Sequence, residues 1–180
     1  MIYLTSDFHI DHWNIVKYVG RPFKTLEKMN ETIIKRFNER VKPDDTTIYV
    51  GDFAFKHSSE SPEGGKTPNR YEGLLNGKII FIRGNHDGNN GINTPIKSMV
   101  IELGGQTMWV THDPANANPL YKINLCGHVH EKWKLKRMDG FKETVLINVG
   151  VDVNQFYPVT INEILRDYSR FIKSERGANV

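Results

Sequence analysis

The segment that decides the fold reads K-I-I-F-I-R-G-N-H-D and spans residues 78–87. Its apolar first half is the kind of short continuous run that forms a buried β-strand. The run stops before Gly84, and an amide, an imidazole and a carboxylate follow at once in Asn85, His86 and Asp87. This order fits either an ordinary polar turn or a strand that delivers functional side chains to a site, and the segment alone leaves both readings open.

Composition limits the classes of protein to consider. A chain of 180 residues is long enough to bury a full core, so we expect a single domain over residues 1–180. Hydrophobic residues at 38% and charged residues at 25% are typical of a folded globular protein. The formal charge of +3 suits anionic substrates but is too small to indicate a nucleic-acid surface. Cys126 is the single cysteine, which excludes an internal disulfide and a multi-cysteine zinc site.

The sequence gives no sign of membrane association. Its first residues turn polar too soon for a secretion signal, and no apolar run approaches the roughly 18 residues of a membrane span. We therefore expect a cytoplasmic protein. The sequence does not determine the oligomeric state.

Four other predicted strands end in side chains of the same chemical kind. They are Asp7 and His9 after residues 2–5, Asp52 after residues 46–50, His112 after residues 106–111, and His128 and His130 after residues 123–126. Carboxylate, imidazole and amide ligands together suit manganese, iron, zinc or nickel. On extended backbone, side chains two residues apart share a side, so Asp7 and His9, like His128 and His130, are expected to point together. With Asn85, seven ligands are too many for one ion and suit two ions that share a carboxylate.

The blocks D-x-H, G-D, G-N-H-D, a single H and G-H-x-H follow one another between Asp7 and His130. In this order they resemble the calcineurin-like metallophosphoesterase superfamily. The resemblance implies an α/β (α+β) fold, a four-layer αββα sandwich of two mixed β-sheets flanked by helices, with metals at the carboxyl ends of the strands. The sequence N-V-G-V-D at residues 148–152 also resembles compact bacterial and phage members.

The resemblance also implies roles for the candidate residues. One metal is held by Asp7, His9, Asp52 and His130, and the other by Asn85, His112, His128 and the bridging Asp52. Two divalent transition-metal ions, manganese first and iron, zinc or nickel as alternatives, would activate a bridging hydroxide for in-line attack on phosphorus. His86 would protonate the leaving oxygen or stabilise the transition state.

One block departs from the superfamily pattern. Protein phosphatases of this superfamily carry G-D-x-V-D-R-G, whereas Phe55 stands here at the second Asp and the Arg is absent. This departure argues against a phosphoprotein substrate. It also removes the carboxylate that usually supports the catalytic histidine, and Asp87 is our candidate replacement for orienting His86.

We therefore predict a metal-dependent phosphoesterase, and specifically a phosphodiesterase for nucleotides or other small phosphodiesters. A diester carries one negative charge, so two metals and His86 suffice without an arginine clamp. The alternatives are a phosphomonoesterase, an RNA- or DNA-end nuclease, and a non-catalytic scaffold. The scaffold is disfavoured because every ligand position is filled. Residues 132–137, which alternate basic and apolar side chains around Trp133, fit a hairpin strand better than a nucleic-acid grip.

Several residues outside the ligand set also have predicted roles. Arg21 and Arg83 are either phosphate contacts or ion pairs, and His12 either lines the pocket or faces solvent. We expect Asp113 to cap the turn at Pro114, and Cys126 to be a buried apolar residue. The sequence predicts helices over residues 12–19, capped by Asp11, over 25–41, over 69–75 and from Thr160 onward. It predicts loops over residues 53–69, which include a surface His57, and over 88–95. It predicts two hairpins, one that pairs residues 97–103 with 106–111 and one that pairs 132–138 with 141–149.

Overall fold

Two mixed β-sheets stacked face to face form the framework of the protein, as a computed structural model describes it for residues 1–55 and 68–177. The strands are β1 (Ile2–Thr5), β2 (Thr46–Val50), β3 (Lys78–Ile82), β4 (Ser98–Leu103), β5 (Gln106–Thr111), β6 (Ile123–Cys126), β7 (Leu135–Met138), β8 (Phe141–Asn148) and β9 (Val159–Thr160). The helices are α1 (Trp13–Val19), α2 (Leu26–Arg40), α3 (Pro68–Glu72), α4 (Asp87–Asn90) and α5 (Ile161–Gly177). The predicted sandwich of two mixed sheets with flanking helices is confirmed.

The strand order explains why the polar strand ends meet. The first sheet runs β3-β2-β1-β9, and β1, β2 and β3 are parallel. The second runs β4-β5-β6-β8-β7, with β5, β6 and β8 parallel. Because parallel strands end at the same edge of a sheet, the segments after β1, β2 and β3 lie side by side, and those after β5 and β6 do the same.

Two apolar layers hold the elements together. Alternating side chains of both sheets, such as Leu4 and Val110, fill the space between the sheets. The face of α5 that contains Ile164 packs against the same layer, as its helical periodicity predicts. On the other side of the first sheet, Tyr49 packs with Phe37 of α2. The first sheet is therefore buried on both faces, which fixes the loops that follow its strands.

Strand β3 is less buried than its continuous apolar sequence predicts. β3 pairs only with β2 and forms an edge of the sheet. Its residues alternate in exposure, and Ile80 is 37% exposed. A continuous apolar run does not distinguish an edge strand from a central one, because that difference depends on what pairs with the strand. The prediction of a buried strand is wrong at this position.

Asp11 does not cap α1 as predicted. His12 occupies the N-cap position, and no side chain caps the helix. The Asp11 carboxylate instead accepts hydrogen bonds from the Asn30 amide at 2.7 Å and the Tyr71 hydroxyl at 2.6 Å. Asp11 therefore joins the first loop to α2 and to α3, a tertiary role that a local capping rule does not detect.

Several boundaries also differ from the predictions. The loop expected at residues 88–95 begins with the single turn α4, α3 lies earlier than residues 69–75, and β7 begins at Leu135 instead of residue 132. The Thr25 side chain caps α2, and Thr160 and Glu163 form a capping box at the start of α5. His57 and most of the 53–69 loop lie outside the described residues. No helix within residues 1–55 and 68–177 is long and apolar enough to cross a membrane.

Candidate metal centre

The strand ends bring the predicted ligands into two groups. In each group one ligand atom per residue lies within 4.8 Å of the others: the groups are Asp7, His9 and His130, and Asp52, His112 and His128. Asn85 joins the second group, because its amide oxygen lies 3.0 Å from His112 Nε2 and 3.1 Å from His128 Nδ1. All seven predicted ligands therefore converge at one edge of the two sheets.

Asp52 lies between the two groups. Its Oδ2 atom is 3.3 Å from His112 Nε2 in the second group and 3.6 Å from His9 Nε2 in the first. One carboxylate oxygen is thus within reach of both groups, which is the geometry that a bridging ligand requires. The assignment of individual metal ligands remains a prediction.

The backbone at the site is not extended, contrary to our expectation. Five of the ligands adopt left-handed backbone angles: Asp7 (φ 60°), His9 (50°), Asp52 (59°), His128 (70°) and His130 (48°). Such angles are costly for residues other than glycine and persist where the surrounding structure holds them. As a result His128 and His130 serve different groups, and the prediction that both rings point together is wrong.

His9 provides the test of whether a metal fits. It is buried, and neither ring nitrogen has a hydrogen-bond partner among the described residues. An unsatisfied buried polar group costs about 1–3 kcal/mol, and a metal ion that accepts the lone pair of one ring nitrogen would offset part of this cost. Because carboxylate, imidazole and amide ligands suit divalent first-row ions, the residues present fit a metal centre.

Burial and the clustered charges shift the acidities at the site. Burial raises the pKa of Asp7 and lowers the pKa of His9 well below its usual range. Burial alone would also lower the pKa of His112, but the hydrogen bond and charge of Asp52, together with Asp7, raise it to about 9. A metal that binds His112 must displace this proton, so metal affinity falls as the pH falls.

Glycines make room for the ligand loops. A Cβ atom at Gly84 would overlap Asp52, and one at Gly127 would overlap Ser6 and Asp7. Gly51 has a φ of +86°, and a Cβ there would press on the His112 ring. The glycines of the G-D, G-N-H-D and G-H-x-H blocks are therefore required by the close approach of the ligands.

Asp87 supports the backbone of the site and does not orient His86. Its Oδ2 accepts hydrogen bonds from the amide N–H of Asp52 at 3.0 Å and of Gly84 at 2.7 Å, and its Oδ1 accepts from Phe53 at 3.0 Å. The carboxylate thus ties the loop after β2 to the loop after β3. Our suggestion that Asp87 orients the His86 ring is wrong, because these backbone groups occupy the carboxylate.

The His86 ring lies at the rim of the site. Its side chain is 45% exposed, and Nε2 is 4.0 Å from Asp52 Oδ2. The backbone N–H of His86 donates to Asp52 Oδ1 at 2.9 Å, which fixes the segment even though the ring makes no hydrogen bond with a carboxylate of the described residues. The nearest ring is that of Phe55, whose centroid is 5.1 Å away. An aromatic contact therefore replaces the usual carboxylate support.

His12 belongs to the wall of the site and does not simply face solvent. Its ring stacks on Phe55 with centroids 3.9 Å apart and lies 5.5 Å from the His9 ring. Burial, with the nearby charge of His86, lowers the pKa of His12 to about 4. Of the two readings for His12, the structure favours the one in which it lines the pocket.

Arg21 is neither a phosphate contact nor a surface ion pair. Its buried guanidinium is paired with Asp152, and the Asp152 carboxylate in turn contacts His130 Nδ1 at 2.9 Å. Sequence reasoning missed Asp152 as a site residue. The signal was present, since Asp152 ends the N-V-G-V-D block at residues 148–152, which begins at the last residue of β8. Arg83 is exposed and has no ion pair among the described residues, so it remains a candidate phosphate contact.

Three assignments outside the ligand set have clear outcomes. The Asp113 side chain accepts a hydrogen bond from Ala115 N at 2.8 Å, which confirms the predicted cap. Cys126 is buried, also as predicted. In the basic segment, Lys134 pairs with Asp167 of α5 at 2.8 Å, and Arg137 pairs with Glu175 at 2.7 Å. These cations are matched by acidic partners, consistent with the hairpin reading.

The fold and its ligand groups define the class of protein, a two-sheet sandwich with two candidate metal-ligand groups at the strand ends. The family model for the calcineurin-like phosphoesterase superfamily domain matches residues 1–156. The chain therefore belongs to the calcineurin-like phosphoesterase superfamily.

Similar proteins extend over most of the chain. Uncharacterized protein MJ1445 of Methanocaldococcus jannaschii is 35% identical over 170 residues, covering 92% of this chain and 89% of that protein. The crystal structure of AQ665 from Aquifex aeolicus, a protein of unknown function, aligns with a TM-score of 0.68 at 24% identity, over 92% of this chain and 98% of that one. An archaeal phosphodiesterase aligns more loosely, with a TM-score of 0.42 at 22% identity over 83% of this chain and 82% of its own. The likeness to AQ665 agrees with the fold.

Proposed function

We propose that the protein is a dinuclear metal-dependent phosphodiesterase that acts on nucleotides or other small phosphodiesters, with manganese as the expected metal. The observation that supports this proposal most strongly is the position of Asp52, whose Oδ2 reaches His9 of one ligand group and His112 of the other. His9, buried with both ring nitrogens unsatisfied by the described residues, supports the presence of an ion.

The contacts of Asp52 and His86 support the role proposed for each of them. Two bound ions would supply an activated water and neutralise the phosphoryl oxygens. Asp52 accepts a hydrogen bond from the His86 backbone N–H at 2.9 Å, so the proposed bridging carboxylate is tied to the loop that carries the catalytic candidate. The His86 ring, half-exposed at the rim, can reach a leaving oxygen and give it a proton.

The surroundings of the site favour a diester over a monoester. Arg21 is committed to Asp152 and to backbone carbonyls, so it offers no clamp for a doubly charged phosphate. A diester presents one negative charge and needs less compensation. Phe55 and His12, stacked beside His86, offer an aromatic wall against which a nucleobase can rest.

Hydrolysis of bis-p-nitrophenyl phosphate and p-nitrophenyl phosphate tests the proposal. The protein would be stripped of metal and refilled with manganese, alongside His86→Ala, Asp52→Asn and the control Glu163→Gln, whose ion pair with Arg40 lies outside the ligand groups. We expect manganese-dependent turnover with the diester preferred. His86→Ala should lower kcat about 100-fold or more, Asp52→Asn should abolish turnover, and Glu163→Gln should keep it.

The same experiment separates the alternatives. Turnover of the monoester in preference would make the protein a phosphomonoesterase. Salt-dependent cleavage of oligonucleotide ends would favour a nuclease. Two bound metals without turnover of any of these substrates would contradict the proposal and favour a scaffold.

A further inference from the structure

We propose that the ion pair between Arg21 and Asp152 positions the ligands of one metal site, the group of Asp7, His9 and His130. Disrupting the pair should weaken metal binding in this group more than in the other. The inference rests on the proposed function, because it assumes that both groups hold metal ions.

Asp152 sets the orientation of the His130 ring. Its Oδ2 atom lies 2.9 Å from His130 Nδ1, so that nitrogen is occupied and Nε2 is the atom left for a metal. A carboxylate partner of this kind fixes the ring and makes the ligating nitrogen more basic. Asp152 therefore acts on the metal through His130, as a positioning residue.

Arg21 extends the support to a second ligand of the same group. Its Nε and Nη2 atoms donate to the two carboxylate oxygens of Asp152, at 2.7 and 2.9 Å. Nη2 also donates to the Asp7 carbonyl at 2.6 Å, and Nη1 donates to the Phe8 carbonyl at 2.8 Å. One guanidinium thus holds the loop of Asp7 and, through Asp152, the ring of His130.

Both side chains of the ion pair are buried, so the loss of either one leaves the other without a partner. The Arg21 side chain is 1% exposed and that of Asp152 is 4% exposed, so solvent does not replace a lost partner. The planar fork of Arg21 matches the two carboxylate oxygens, a geometry that the ammonium of a lysine does not reproduce. The position of the ligands therefore depends on the identity of both residues.

The second ligand group is supported differently. His112 Nδ1 contacts the Val50 carbonyl at 2.7 Å, which is a neutral backbone group. Asp52 is held by the His86 N–H and by the His112 ring. None of these contacts involves Arg21 or Asp152. A bond does join the two groups, from the His128 N–H to the Asp7 carboxylate at 3.0 and 3.1 Å, so we expect the effect of disrupting the pair to be strongest at the group of Asp7, His9 and His130.

The test is a titration of metal-free protein with Mn²⁺, followed by calorimetry and by electron paramagnetic resonance. Asp152→Asn removes the charge at constant size, and Glu163→Gln does the same to the pair that Glu163 forms with Arg40 at 3.0 Å. We expect wild type and Glu163→Gln to bind two ions, with the spectrum of a coupled pair. In Asp152→Asn, one of the two sites should bind about 10–100-fold more weakly, with the spectrum of isolated Mn²⁺ at intermediate metal concentration.

Arg21→Lys is the second variant, since it keeps a positive charge and loses the fork. It should weaken the same site by a smaller factor and affect the other site less. Two sites of wild-type affinity in both variants would overturn the inference, and so would an equal loss at both sites, which would indicate a general structural role. A wild-type protein that binds no Mn²⁺ would overturn the proposed function itself and this inference with it, so the two failures are distinguishable.

Discussion

At the scale of single residues, the metal centre depends on side chains and glycines that hold or admit the ligands. Gly84 has no Cβ, and the Asp52 carboxylate and backbone N–H occupy the space that one would fill. Asp87 holds the same region by accepting three backbone N–H bonds. Both residues can therefore be tested by small changes that leave the ligands in place.

Gly84→Ala should displace Asp52 and reduce metal binding. The added methyl group has no free space, and overpacking of this kind costs about 1–3 kcal/mol. Mn²⁺ calorimetry should show weaker binding than in wild type. Gly140→Ala is the control: its Cβ would meet no atom within 4 Å, and the strain that a φ of +79° imposes on alanine lies in the turn between β7 and β8, outside the ligand groups. Unchanged Mn²⁺ affinity in Gly84→Ala would contradict the proposed crowding.

Asp87→Asn should lower the free energy of unfolding by about 1.5–3 kcal/mol, because a charged acceptor of three N–H bonds becomes a neutral amide. Urea unfolding measures the change. The control is Asp139→Asn, whose exposed pair with Lys136 should contribute less than about 1 kcal/mol. Equal effects of the two substitutions would show that the Asp87 bonds do not support the loops.

The convergence of the candidate ligands could be predicted from residue type and order, but the residues that support them could not. Asp7, Asp52 and the histidines follow strands in a recognisable sequence of blocks. Arg21 and Asp152 are 131 positions apart, and nothing local to either residue shows that they form a pair. The left-handed angles were also missed, because each results from tertiary contacts and not from a local preference for glycine.

At the scale of the elements, local sequence signals predicted the contacts correctly where an element's own residues satisfy its backbone hydrogen bonds. The Thr160 hydroxyl accepts from Glu163 N at 3.3 Å, and the Glu163 carboxylate accepts from Thr160 N at 2.8 Å, as the sequence of α5 predicts. Asp11 looked like a cap of the same kind but bonds to Asn30 and Tyr71 instead. The burial of β3 likewise depends on its position at the sheet edge.

The capping box of α5 predicts a pH-dependent stability. Burial alone would raise the pKa of the Glu163 carboxyl, but the bonds from Thr160 and the charge of Arg40 outweigh it and lower the pKa below the ordinary 4.5. A lowered folded-state pKa adds stability above pH 4.5, and that stability is lost as the pH falls through 4.5 to the folded-state value.

Glu163→Gln should therefore cost about 1 kcal/mol near pH 7 and less near pH 4. Urea unfolding of both proteins at the two pH values measures the difference. A cost that stays constant between the two values would show that the charge of Glu163 does not contribute to the cap.

At the scale of the whole molecule, two sheets concentrate buried acids and imidazoles at one edge. Asp7, Asp52, His9 and His112 are all buried there. A metal that binds only the folded state stabilises it by about 2.7 kcal/mol at a concentration 100-fold above its Kd.

We therefore expect saturating Mn²⁺ to raise the Tm of the metal-free protein by roughly 5–10 °C. Differential scanning fluorimetry with and without a chelator measures the shift. Asp52→Asn should lose most of it, whereas Asp139→Asn should keep it, since Asp139 pairs with Lys136 away from the ligand groups. A similar shift in all three proteins would place the bound metal elsewhere.

The central claim is that one edge of the molecule holds two metal ions that share Asp52. Anomalous X-ray diffraction from crystals grown with Mn²⁺ tests it most directly. We predict two peaks about 3.5–4 Å apart, one beside Asp7, His9 and His130 and the other beside Asn85, His112 and His128, with the Asp52 carboxylate between them. A single peak, or none at this edge of the sheets, would contradict the account.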